Sequence, residues 1–180
     1  SDGVLPKEEL LICENFDSFV KELSYYSSWS AGVGIWAKDK PMLDQITYNQ
    51  MFPHASILFE IRQESKYIIW NKKFMDMEDD PTKGGYNIFH TFAVVYLDII
   101  KDLENRKRIS NQTFVSIKND LRRFLIEWYY NLCVAKTQYR FETTDKYKNI
   151  TTYYSTLDYL YIAGVCYYRH LRDNIKNIFK

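Results

Sequence analysis

Glycine and proline are scarce, six and four residues in a chain of 180. Folds built from many short strands punctuate themselves with turns far more often, so this rarity argues for long helices. Cysteine is scarce as well: Cys13, Cys133 and Cys166 form an odd set with no CxxC spacing. That excludes a disulfide framework, and reduced thiols in a cytoplasmic protein are the expectation. No apolar run approaches the roughly 20 residues of a membrane helix, so no membrane span is expected. No signal-peptide pattern opens the chain, and its first residues, Ser-Asp-Gly, allow for excision from a longer protein.

An excess of one charge is also missing. Lys and Arg number 24 against 23 Asp and Glu, a net charge of +1. A dedicated nucleic-acid binder carries a basic excess, so the balance argues against that class at the level of the whole chain. The local motifs of chemistry are absent too. There is no HExxH and no GxSxG, and "AGVGIW" has only the first half of a dinucleotide-binding glycine pattern. The three histidines, His54, His90 and His170, lie far apart, and none has a Glu three residues before it. Neither a zinc-protease helix nor a carboxylate-bridged diiron site is therefore expected, nor any other metal or cofactor. Helical ribonucleases of the HEPN type set an Arg a turn or so before a His on one helix. Arg169 and His170 are adjacent instead, and no other His has such an Arg.

What the chain has in abundance is aromatic rings: 16 Tyr, 11 Phe and 4 Trp, or 17% of residues. Each ring covers a large area, and each tyrosine also brings a hydroxyl that needs a partner, so a broad core or an aromatic binding surface is expected.

Helical periodicity runs through most of the chain. Leu10, Leu11, Phe19, Val20 and Leu23 suggest a first helix, 42–52 a short piece, and Ile57, Leu58, Ile61, Ile68 and Ile69 a helix over 54–77. "DMEDDPTKGGY" breaks the pattern and is expected to be an exposed loop. From 86 to 103 the positions Ile88, Phe92, Val95, Ile99 and Leu103 step by threes and fours. Ser110 is placed to cap the next helix, with Phe114, Ile117, Leu121, Phe124, Trp128 and Leu132 on one side. After a loop at "RFETTDKYKNITT", Leu157, Leu160, Gly164, Leu171 and Ile178 define the expected core face of the last helix. The fold class expected is all-α: one domain over 1–180, a bundle of five or six helices with an aromatic-rich core.

Three functional readings follow. The first is a non-enzymatic interaction or regulatory module that binds a protein partner, or a second copy, through an aromatic or apolar surface. Trp29, Trp36, Tyr161 and Tyr168 are its candidate residues, since Trp and Tyr are enriched where partners bind. The second is nucleic-acid binding through a basic patch of Arg106, Lys107, Arg108, Lys118, Arg122 and Arg123. The third is an enzyme centred on "CYYRHLRDN", with His170, Cys166 and Arg169 as catalytic candidates. The same stretch also suits a helix passing from a buried to a wet half, where late cations meet the negative end of the dipole.

Overall fold

A computed structural model of the chain describes residues 9–30, 37–61, 65–72 and 84–178. The acidic run from Asp76 to Asp80, Trp36 and the glycines around it lie outside these residues. The described chain is mostly helical, with seven α-helices and two small two-stranded sheets. Its residues fall into two compact units, one formed by Ile99–Ile117 with the described part of 1–78, the other by the described parts of 79–98 and 118–180.

In the first unit, strand β1 (Leu10–Cys13) pairs antiparallel with β2 (Tyr67–Trp70), Leu10 opposite Trp70 and Cys13 opposite Tyr67. Helix α1 (Phe16–Leu23) starts at a reciprocal cap. Asn15 Oδ1 accepts from the Ser18 amide at 2.9 Å, and Ser18 Oγ accepts from the Asn15 amide at 3.2 Å. Helix α2 (Pro53–Ile61) begins with proline, whose missing N–H is no loss in a first turn. Phe16, Phe19, Phe59 and Tyr67 form an aromatic cluster, with Phe19 and Tyr67 stacked at 4.7 Å. The Arg108 guanidinium covers Phe16 at 4.3 Å.

The second unit opens with β3 (Gly84–Asn87), which runs parallel to β4 (Arg140–Glu142). Gly84 is obligatory there, because an added Cβ would lie 2.2 Å from the Arg140 carbonyl carbon. A continuous helix, whose residues from Ile99 on belong to the first unit, then covers 88–105, made of α3 (Ile88–His90), a π-helical segment (Thr91–Tyr96) and α4 (Leu97–Asn105). Asn87 caps it by accepting from the His90 amide at 3.0 Å. Helix α5 (Asn111–Tyr129), part of this unit from Lys118 on, is capped by Ser110, whose Oγ accepts from the Thr113 amide at 3.2 Å, and it widens into a π-helical segment at Tyr130–Val134. Helices α6 (Lys146–Thr151) and α7 (Thr156–Ile178) follow, α7 starting at a Ser155–Asp158 capping box. Phe89, Tyr96, Leu121, Leu125, Ile150, Ile162 and Cys166 are buried in this unit.

The fold therefore differs from the all-α expectation. Leu10 and Leu11 belong to a strand rather than to the first helix, and Ile68 and Ile69 to its partner rather than to a helix over 54–77. Each run is four apolar residues with β-branched members, too short for periodicity to tell strand from helix. The region 42–52 is a 3₁₀ helix only as far as Gln45, and the loop expected after 140 holds β4 and α6.

Candidate functional site

Helix α7 decides the site, and its orientation is set by a few specific partners. Ile162 and Cys166 are fully buried. The Cys166 thiol donates to the Ile126 carbonyl at 3.3 Å. One turn on, Arg169 Nη1 reaches both carboxylate oxygens of Glu127, at 3.0 and 2.8 Å, while its guanidinium lies 4.2 Å from the centre of the Tyr130 ring. At the N-terminal end Asp158 accepts from Arg122 at 2.9 Å, and the Tyr159 ring meets Tyr129 edge-on. Asp158 is held below the usual carboxylate range, first by the Ser155 hydroxyl and also by Arg122.

These contacts turn the expected core face outward. Leu157, Leu160 and Leu171 are exposed, Leu157 at 77%, and Gly164 is exposed with them. The physical reason is that α7 carries two stripes with helical spacing. The Ile162–Cys166–Arg169 stripe holds groups that can be satisfied only by particular partners, whereas leucine can be accommodated wherever apolar surface is available.

The outward stripe consists of Leu157, Leu160, Tyr161, Tyr167, Tyr168, Leu171 and Ile175, all exposed, Tyr168 at 69%. No charged side chain interrupts it. At its middle Gly164 leaves bare backbone, and a Cβ added there would meet nothing within 4 Å. Of the residues expected to bind a partner, Tyr161 and Tyr168 stand on this stripe. Arg122 lies 5.7 Å from the Tyr161 ring at its edge. Trp29 is exposed in the other unit, its ring edge-on to Tyr26 at 5.2 Å. Trp36 lies outside the described residues. Leu157, Leu160, Tyr167, Leu171 and Ile175 were not among the expected partner-binding residues, although their steps of three and four through Gly164 are visible in the sequence.

A smaller apolar face belongs to the β1–β2 sheet. Leu10, Ile12, Ile68 and Trp70 are exposed on one side of it, the alternation expected of a strand pair. Ion pairs Lys66–Glu14 and Lys72–Glu9 border it at 3.3 and 3.7 Å.

The three catalytic candidates are neighbours on α7, against α5 and the π-helical segment. Burial pushes the Cys166 thiol up to about 11 and the Cys133 thiol up as well, so both stay protonated at neutral pH, the reverse of what a nucleophile needs. Arg169 is committed to Glu127, whose hydrogen bond raises its pKa. His170 is half-buried with its ring 6.4 Å from that of Tyr130. Among the described residues no three His, Cys, Asp or Glu side chains gather as metal ligands.

The basic candidates are mostly held by carboxylates. Arg106 donates to Glu60 and pairs with Asp102 at 2.8 Å, and Arg108 shares Glu60 at 3.4 Å. The Arg106 hydrogen bond holds Glu60 below the usual range. Burial lowers the pKa of Arg108. Arg122 is held by Asp158, Lys118 donates to the Tyr153 carbonyl at 3.0 Å, and Arg123 lies 3.9 Å from Asp120. Lys107 is exposed at a left-handed turn position. Among the described residues no helix is long and apolar enough to cross a membrane.

Set against protein-family models, curated proteins and solved structures, the chain has no match.

Proposed function

We propose that the chain is a non-enzymatic interaction module, a helical bundle with an aromatic-rich core, that docks a protein partner on the outward face of α7. The observation that carries this reading is the uninterrupted exposed stripe from Leu157 to Ile175. Apolar surface that extends along a whole helix is costly to leave in water, and contiguous patches of this size mark interaction sites. An amphipathic helix face offering side chains three, four and seven residues apart is a recurrent way to meet a partner. The tyrosines add area at low entropic cost and keep hydroxyls for the rim.

The other two readings have less support. Phosphate recognition needs cations that are free to meet an anion, and the patch arginines already have carboxylate partners. Chemistry at Cys166 needs a thiolate, and burial disfavours one.

The test is an apolar fluorescent probe, anilinonaphthalene sulfonate, added to a dilute solution of the folded chain. Blue-shifted emission is expected, and Leu160→Glu with Leu171→Glu should remove most of it while the far-ultraviolet dichroism is retained. A folded chain that gives no such signal, or whose signal ignores the two substitutions, contradicts the reading.

A further inference from the structure

Six of the seven side chains of the stripe on α7 are symmetric about Gly164. Counting from Gly164, Tyr161 and Tyr167 lie three residues to either side, Leu160 and Tyr168 four, and Leu157 and Leu171 seven. All six flanking side chains are exposed, and Gly164 is open to the same side. Resting on the reading of α7 as a docking face, we infer that its partner is a second copy of this chain, with the two α7 helices antiparallel and crossing on a two-fold axis at Gly164.

A two-fold contact requires that if residue i meets residue j, j also meets i. An antiparallel crossing at Gly164 satisfies this along the whole stripe. At 1.5 Å of rise per residue, a side chain seven residues from the crossing lies about 10 Å along the axis, where the antiparallel copy presents its own residue seven positions the other way. Leu157 then meets the partner's Leu171, Leu160 its Tyr168, and Tyr161 its Tyr167. Ring meets ring and leucine meets leucine or ring, with no polar group forced inside. Gly164 allows close approach at the axis, as small residues do where helices cross.

The helix dipoles favour the antiparallel sense, which opposes them, whereas parallel pairing would set like ends together. The extent is also adequate. The seven exposed side chains of the stripe offer on the order of 900 Å², judged from the sizes of such side chains, against about 800 Å² per partner in a stable association.

Sedimentation equilibrium of the full chain over a wide range of concentration tests the inference. A dimer is expected, undiminished by added salt because apolar burial drives it. Gly164→Glu should weaken it by about a hundredfold or more, since each new carboxylate meets its own copy on the axis. The added side chain enters open space and glutamate favours helix over glycine, so the monomer stays folded. Orientation is read by oxidative cross-linking in a Cys133→Ser background. Leu157→Cys chains should link to Leu171→Cys chains in a mixture, and neither variant to itself. Self-links of each variant, or a dimer indifferent to Gly164→Glu, overturn the inference. A monomer at every concentration also overturns it. If that monomer binds the apolar probe through the stripe, the docking-face reading survives with another partner; if it binds none, both fall.

Discussion

Arg169 donates to both carboxylate oxygens of Glu127, 42 residues earlier in the chain, with its guanidinium over the Tyr130 ring. Together with the Cys166 thiol on the Ile126 carbonyl, this contact fixes which side of α7 faces inward. The pair is partly exposed, so its strength is modest: about 0.5–1 kcal/mol for the ions and a similar amount for the ring contact. Arg169→Ala should lower unfolding stability by about 1–2 kcal/mol. Arg169→Lys should recover only part, because an ammonium lacks the planar face that covers Tyr130. Chemical denaturation of the three proteins, at low and high salt, checks this.

Acid should loosen the first unit through Glu60. Its folded pKa is depressed, chiefly by the Arg106 hydrogen bond. The stability it contributes is therefore present above the carboxylate range of the unfolded chain and is lost as pH falls through the folded value. Glu60→Gln should cost about 1 kcal/mol at neutral pH, the carboxylate being one-third exposed. It should also flatten the loss of stability below about pH 4.5. Equal acid slopes in the variant and the parent would contradict this assignment.

Alkali acts on the second unit through Cys166, whose folded pKa of about 11 lies above that of a free thiol. A raised pKa gives stability that is complete below the unfolded value, about 8.5, and is lost as pH rises through the folded one. Thermal melts should fall between about pH 9 and 11, and Cys166→Ala should make that fall shallower. In the folded parent at pH 8, Cys166 should react with a thiol reagent far more slowly than in the unfolded chain.

Gly84 is held to glycine by the close approach of β4. Gly84→Ala should break the Gly84–Arg140 pairing and cost about 2 kcal/mol or more, the size expected when backbone must shift. Gly85→Ala next to it has open space but a positive φ, so it should cost less, about 1 kcal/mol. Paired urea titrations separate the two.

The sequence made the middle helices legible. The spacing from Ile88 to Leu103 and from Phe114 to Leu132, with Ser110 as cap, located both helices, although Val95, Ile99, Phe124, Trp128 and Leu132 are only half-buried and Tyr96, Ile100, Leu125 and Tyr129 are buried beside them. The β1–β2 strands were not legible, because four consecutive apolar residues suit a strand and a helix equally well. Nor was the rotation of α7. Leucine spacing shows that a stripe is apolar, not whether the chain or another molecule covers it. The choice rests on Glu127 and the Ile126 carbonyl, contacts across some forty residues that no local pattern records. Tyr161 and Tyr168 could be singled out because aromatics favour interfaces, while the leucines beside them carried the stronger expectation of a core.

The most direct test of the account is the burial of α7 measured as energy: equilibrium unfolding of Ile162→Ala and Leu171→Ala side by side, at submicromolar concentration where association adds little to stability. The account predicts a loss of about 2–4 kcal/mol for Ile162→Ala, which empties a fully buried position. It predicts less than about 0.5 kcal/mol for Leu171→Ala, a substitution on the exposed stripe. The reverse order, with Leu171 costly and Ile162 nearly neutral, would put the leucines inside and remove the docking face.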